Sequence, residues 1–68
     1  MAMNYDKLWK LLIDRKLTKT DLREMSGIST NALAKMGKNG DVSTTVLRKI
    51  CGALDVGIED IVEIVIEK

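Results

Sequence analysis

The residues best suited to bind a polar ligand share one face of a predicted short helix that runs from Thr30 to Lys38. At about 100° per residue, Ala32, Leu33 and Met36 fall together and form an apolar face. The opposite face has amide, hydroxyl and ammonium groups on a surface without acidic residues. That face consists of Thr30, Asn31, Ala34, Lys35 and Lys38.

The length of this helix is close to the width of a groove in DNA. From Thr30 to Lys38 the axis rises by roughly 12 Å, at about 1.5 Å per residue. The major groove of B-DNA is about 12 Å wide. A helix that leads with short side chains can therefore enter that groove, and its polar face would then meet the base edges.

A second helix, predicted over Lys19–Ser26, must hold the first one in position. Thr18 and Asp21 have the spacing of a capping box at its start. Gly27 suits the left-handed conformation at a helix exit, and Ser29 can cap the next helix. Two helices joined by a turn of about 3–4 residues that contains glycine form a helix-turn-helix motif.

Two flanking helices complete the predicted core. Asn4 can cap a helix from Tyr5 to Lys16, and Ser43 can cap another from Thr44 to Leu54. The first has an inward apolar stripe that includes Trp9, which makes core packing a better interpretation for this ring than stacking on a base. The apolar stripes contain Tyr5, Leu8, Trp9 and Leu12 in the first helix, Leu22 and Met25 in the second, and Val46, Leu47, Ile50, Cys51 and Leu54 in the last.

The end of the chain allows two interpretations. Gly57 stands where a fifth helix would begin, and Ile58, Ile61, Val62 and Val65 continue a helical stripe. The β-branched run at 62–66 is also typical of a short strand. In either conformation it offers apolar surface that a small monomer hides with difficulty, so the segment is a candidate dimer contact.

Composition limits the chain to one small domain and excludes several kinds of site. The 68 residues are 46% hydrophobic, contain no histidine and have one cysteine, Cys51. A disulfide framework and a Cys/His zinc site cannot be built. Cys51 is expected to be a small core residue, with a redox-sensing thiol as the alternative.

We expect no catalytic residues, no cofactor, no metal, no membrane passage, no separate small-molecule domain and a cytoplasmic location.

Charge is distributed unevenly along the chain, although the formal net charge is only +1. Residues 1–54 contain ten basic and five acidic residues, whereas residues 55–68 contain one basic and five acidic residues. This asymmetry suggests that one end of the molecule faces phosphate.

The segment from Leu17 to Met36, with the pattern L-T-x-x-D-L-x-x-x-x-G-I-S-x-x-x-L-x-x-M, resembles the Cro/phage-repressor family of helix-turn-helix DNA-binding proteins. The similarity extends to residues 46–56, which resemble the family's fourth helix and its exit, and to residues 58–61, which resemble the start of its fifth helix. It implies an all-α, compact, five-helix lambda-repressor-like domain over residues 4–63. Residues 1–3 would be a disordered tail or cloning remnant, and 64–68 an extension. Arg23 and Ser26 depart from the family pattern, which has a small residue and a large aliphatic residue at those positions.

The resemblance also implies roles for individual residues. Positions that contact bases in the family correspond to Thr30, Asn31 and Lys35, whose side chains can bond thymine, adenine and guanine respectively. Positions that contact phosphates correspond to Lys19, Thr20, Lys38, Asn39, Ser43 and Thr44. The implied function is sequence-specific binding of double-stranded DNA by a homodimeric transcriptional regulator, with repression expected. The alternative is a protein-interaction module on the same fold, in which the third helix contacts a protein partner.

Overall fold

The computed structural model describes residues 2–66, which form four α-helices, one 3-10 turn and a two-stranded sheet. In chain order the elements are β1 (Ala2–Asn4), α1 (Asp6–Asp14), α2 (Lys19–Ser26), α3 (Thr30–Gly37), α4 (Thr44–Leu54), the 3-10 turn (Ile58–Asp60) and β2 (Glu63–Val65). Their arrangement confirms a mostly helical domain built around a helix-turn-helix.

The helix boundaries follow the capping residues. The Thr18 hydroxyl accepts a hydrogen bond from the Asp21 amide, and the Asp21 carboxylate accepts one from the Thr18 amide, so the predicted capping box is present. The hydroxyls of Ser29 and Ser43 cap α3 and α4 in the same way as Thr18 caps α2. Gly27 has a φ of 75°, which confirms the left-handed exit from α2.

Helix α1 is shorter at both ends than the predicted Tyr5–Lys16. The Asn4 side chain accepts a hydrogen bond from the Asp6 amide at 2.9 Å, and Tyr5 occupies the cap position without a side-chain bond of its own. At the other end Lys16 has a φ of 59°, a left-handed conformation that interrupts the helix.

The prediction of five helices is wrong. Where the fifth was expected, residues Ile58–Asp60 make one 3-10 turn, and Ile61 leaves the helical region with a φ of −121°. The following β-branched residues form β2, because two heavy atoms on Cβ favour an extended backbone. The structure therefore selects the strand from the two interpretations of the C-terminal segment.

Strands β1 and β2 pair in antiparallel orientation, with Ala2 opposite Val65, Met3 opposite Ile64 and Asn4 opposite Glu63. Ala2 and Met3 therefore belong to the sheet, whereas the sequence had suggested a disordered tail over residues 1–3. Met1 and the last two residues of the 64–68 extension lie outside the described residues. The strand β1 is half-buried, whereas every residue of β2 is exposed.

The core lies between the four helices and the 3-10 turn. The prediction that Met25 faces inward is wrong, because half of this side chain (50%) is exposed, whereas Leu22 is fully buried. Arg23 is half-buried. The buried side chains are Tyr5, Leu8, Leu12, Leu22, Ile28, Ala32, Met36, Leu47, Ile50, Leu54 and Ile61.

Among the helices of residues 2–66, none has the length and apolar character needed to cross a membrane.

Candidate nucleic-acid interface

Helix α3 is amphipathic in the way that its sequence predicts. Ala32 and Met36 are 8% and 0% exposed, and they attach the helix to the core. Thr30, Asn31 and Lys35 are all exposed on the outer surface. The three predicted base-contacting residues therefore lie on one helix whose inner face is fixed by packing.

The turn before α3 fixes where its polar face begins. Gly27 reverses the chain in a left-handed conformation, and Ile28 is 5% exposed in the core. The Ser29 hydroxyl then accepts a hydrogen bond from the Ala32 amide at 3.1 Å. Because this bond uses the amide of the third helical residue, the amides of Thr30 and Asn31 have no intrahelical partner and remain available to an acceptor.

A shallow groove of about 220 Å³ runs between α3 and the start of α4. It brings Asn31 and Lys35 together with Ser43, a predicted phosphate contact. Thr30 is not part of its lining. The groove also contains Asp41 and Val42, for which sequence reasoning had assigned no role.

The predicted phosphate contacts occupy the starts of α2 and α4 and the loop after α3. All six side chains are exposed: Lys19, Thr20, Lys38, Asn39, Ser43 and Thr44. At each helix start the capping hydroxyl bonds the third amide, so that the first two amides are unpaired within the helix. Such amides, together with the helix dipole, favour anions.

The loop after α3 is folded back on the helix. Asn39 has a φ of 57°, as expected for the residue that ends the helix. The Gly40 amide donates to the Lys35 carbonyl at 2.7 Å. The Gly40 carbonyl accepts a hydrogen bond from the Tyr5 hydroxyl, also at 2.7 Å. The loop is therefore anchored at Gly40 to both α3 and the residue that precedes α1.

The side chain of Lys19 lies over an aromatic ring. Its Nζ is 4.4 Å from the centre of the Trp9 ring, a cation–π distance. Trp9 is half-buried and packs against the core, as predicted, but its exposed part supports this lysine at the start of α2.

Some basic residues belong to another surface. Lys7 and Lys10 line an open groove that also contains Glu59 and Asp60 of the 3-10 turn. The Lys7 ammonium donates to the Glu59 carbonyl at 3.3 Å. The positive charge of residues 1–54 is therefore partly balanced by the acidic C-terminal segment, which the linear charge count did not reveal.

Two groups in or against the core, Tyr5 and Cys51, have raised pKa values. Burial, with a smaller contribution from Asp41, raises the pKa of Tyr5. Burial, followed by Glu59 and Asp60, raises the pKa of the Cys51 thiol, which is free and half-buried. Residues 2–66 contain no group of three or more His, Cys, Asp or Glu side chains placed to hold a metal ion.

Sequence reasoning found the exposed polar groups but missed the contacts that support them. The hydrogen bond between Tyr5 and Gly40 spans 35 residues. The only indication in the sequence was that the first residue of an apolar stripe is a tyrosine, whose hydroxyl usually has a partner when it is buried. Nothing in the spacing of Trp9 and Lys19 predicted that they meet.

The fold and this exposed polar face agree with a comparison of the sequence with protein families. A family model for the Cro/C1-type helix-turn-helix DNA-binding domain matches residues 7–67. The chain belongs to this family of DNA-binding domains.

A solved structure is also similar to the chain. The crystal structure of the transcriptional regulator VanUg (Form II) matches with a TM-score of 0.88 and 52% sequence identity. The match covers 91% of this chain and 83% of VanUg. A comparison with curated proteins finds no match.

Proposed function

We propose that the protein is a transcriptional repressor that binds a specific DNA sequence through the major groove as a homodimer. Membership of a DNA-binding domain family and 52% identity to a transcriptional regulator support DNA-binding regulation. The observation that carries the finer proposal is the exposed, acid-free outer face of α3, held by the buried Ala32 and Met36.

Three side chains on that face are proposed to read bases. The Asn31 side-chain amide can donate to adenine N7 and accept from adenine N6 in a bidentate pair, and the Lys35 ammonium can donate to guanine O6 and N7. Thr30 can place its methyl group against thymine or use its hydroxyl as a donor or acceptor. Because Thr30 and Asn31 lie in the first turn of α3, they would enter the groove first.

The predicted phosphate contacts around the outer face of α3 are proposed to bind the DNA backbone on both sides of the major groove. Lys19 and Thr20 would contact one phosphate group at the start of α2. Ser43 and Thr44 would contact another at the start of α4, and Lys38 and Asn39 would do so from the loop. The side chains and the unpaired first-turn amides supply donors, and the lysines release counterions on binding.

The homodimer is proposed to form through β2. A two-stranded sheet is marginally stable by itself in water, and the outer edge of β2 is free to pair within the described residues. Ile64, Val65 and Ile66 are 60%, 41% and 69% exposed, so that both faces of the strand present apolar surface. Antiparallel pairing of two copies of β2 would make a four-stranded sheet and cover part of this surface.

Dimerisation also supplies the geometry that a helix-turn-helix protein uses on DNA. Two reading helices on one face of the duplex must lie about 34 Å apart. One protomer measures 36 × 23 × 17 Å, so two protomers side by side are of a suitable size for that separation. Repression would follow if the dimer occupies DNA that the transcription machinery needs.

The experiment that tests this function is a selection of bound sequences from a pool of random DNA duplexes. We expect an enriched site with two-fold symmetry. The affinity for it should fall steeply from the lower to the higher of two salt concentrations, because binding releases counterions from the phosphates. Weak binding without an enriched sequence would reject specific recognition. It would favour the protein-interaction alternative, in which the outer face of α3 contacts a protein partner. A reporter gene placed behind the enriched site distinguishes repression from activation.

A further inference from the structure

Tyr5 lies outside the helix-turn-helix but touches its DNA-facing loop. The side chain is fully buried, yet its hydroxyl reaches the Gly40 carbonyl and donates a hydrogen bond at 2.7 Å. Gly40 follows Lys38 and Asn39, two of the proposed phosphate contacts. We propose that Tyr5 is a positioning residue that holds the loop after α3 in the conformation that binds phosphate.

The other backbone attachments of the loop lead to α3: the Lys38 amide donates to the Lys35 carbonyl at 3.1 Å, and the Asn39 amide donates to the Met36 carbonyl at 3.0 Å. Asn39 adopts a left-handed conformation, and the Gly40 amide donates to the Lys35 carbonyl at 2.7 Å. Lys38 and Asn39 are exposed, so their side chains do not anchor the loop in the core. The hydrogen bond from Tyr5 therefore joins the exposed loop to a buried residue at the beginning of α1.

The chemistry of Tyr5 suits a permanent donor. Its ring packs among the core residues, and the hydroxyl at its tip donates to the carbonyl of Gly40, a half-buried residue. Burial and the nearby Asp41 carboxylate raise the pKa of Tyr5, so the hydroxyl stays protonated throughout the neutral range. A phenylalanine would fill the same space but could not donate.

This role rests on the proposed function, and it predicts that the effects of Tyr5 and Lys38 on DNA binding are coupled. If the hydroxyl fixes the loop, removing it displaces Lys38, and removing the lysine as well adds little. If the hydroxyl only stabilises the fold, the contribution of Lys38 is the same with and without it.

The experiment is a double-mutant cycle of Tyr5→Phe and Lys38→Ala, with binding to a random-sequence duplex measured over a range of salt concentrations. In the wild-type background we expect Lys38→Ala to lower the slope of log affinity against log salt by about one. In the Tyr5→Phe background we expect the same substitution to lower it by clearly less. All measurements are made at a temperature at which circular dichroism shows every variant folded.

Ser26→Ala is the matched control. The Ser26 hydroxyl also donates to a backbone carbonyl, that of Leu22 at 2.6 Å, but this bond lies within α2. In that background Lys38→Ala should keep its full effect on the salt slope. A smaller effect of Lys38→Ala on the salt slope in both the Tyr5→Phe and the Ser26→Ala backgrounds would reflect general destabilisation and overturn the proposal.

A measurement without DNA tests the loop directly. Hydrogen exchange of the Gly40 amide, which bonds Lys35, should become faster in Tyr5→Phe, whereas amides in the middle of α4 should change only as much as global stability does.

If Tyr5→Phe does not fold, Gly40→Ala replaces it in the double-mutant cycle. A Cβ at Gly40 would lie 3.1 Å from the Lys35 carbonyl oxygen, a contact tight enough that the loop or this carbonyl must shift slightly.

The outcomes separate this role from the proposed function. A wild-type protein that binds neither selected nor random DNA would reject both. A wild-type protein that binds DNA, with equal effects of Lys38→Ala in the two backgrounds, would reject only the role of Tyr5.

Discussion

The side-chain amide of Asn31 can both donate and accept hydrogen bonds from the first turn of α3, where it is exposed. Adenine presents a matching acceptor and donor in the major groove. We expect Asn31→Ala to reduce discrimination at one adenine of the selected site by about 1–3 kcal/mol. The measurement is the affinity for the selected duplex and for duplexes with each base pair changed.

Asn39→Ala serves as the control for this substitution because it removes the same side chain from a proposed phosphate contact. It should weaken binding to the selected and random duplexes by similar factors. Equal losses on both duplexes for Asn31→Ala would show that Asn31 does not read a base.

Cys51 should be a slow nucleophile in the folded protein. Burial, Glu59 and Asp60 raise its pKa, so less thiolate is present at a given pH than in the unfolded chain. We expect the alkylation rate by iodoacetamide to reach its half-maximal value at a higher pH in the native protein than in denaturant. Coinciding pH profiles would contradict the raised pKa.

The raised pKa of Cys51 also makes the stability of the folded protein fall at alkaline pH. Above the ordinary thiol pKa of about 8.5 the unfolded chain loses a proton that the folded protein retains. The folded state therefore becomes relatively less stable as pH rises through that range, and Tyr5 adds a similar effect at higher pH because its pKa is also raised. Cys51→Ala should flatten the first part of this decrease in thermal unfolding scans.

At the scale of elements, two glycines near helix ends should respond in opposite ways to alanine. Gly27 has a φ of 75° at the exit of α2, whereas Gly52 lies within α4 and is exposed. A Cβ would meet nothing within 4 Å at either position, so that backbone conformation decides the result. We expect Gly27→Ala to lower the free energy of unfolding by about 1–2 kcal/mol.

Gly52→Ala is the matched comparison, measured in the same urea titrations. It should raise the free energy of unfolding by about 0.5–1 kcal/mol, because alanine loses less conformational freedom in a helix. A stabilising effect of Gly27→Ala would contradict the left-handed exit that separates the two helices of the motif.

At the scale of the whole molecule, Ile64 tests whether β2 joins two protomers. The side chain is 60% exposed in one protomer and would be covered in the proposed four-stranded sheet. We expect Ile64→Asp to shift the protein from dimer to monomer in sedimentation equilibrium and to abolish preferential binding to a two-fold symmetric site over a half-site.

Ile13→Asp is the corresponding control, because Ile13 lies on α1 and is 73% exposed. It should leave the dimer and the preference for the symmetric site unchanged. If the wild-type protein is a monomer at all concentrations, or if Ile64→Asp remains a dimer, β2 is not the interface.

Much of the helix-turn-helix could be predicted from the sequence because its signals are local. Thr18, Gly27, Ser29 and Ser43 act on amides or dihedral angles within a few residues, and they fixed the bounds of α2 and the starts of α3 and α4. The alternation of polar and apolar residues predicted which face of α3 is exposed. These features depend on hydrogen bonding and helix period, which operate wherever the helix lies.

The tertiary structure decided the features that depend on distant partners. The C-terminal segment became a strand because β1 supplies a pairing edge far earlier in the chain, with Met3 opposite Ile64, which helical periodicity could not anticipate. Met25 is exposed because the packing of α2 against α4 and α3 buries another face. Tyr5 reaches Gly40 for the same reason: only the folded chain brings the beginning of α1 to the loop that follows α3.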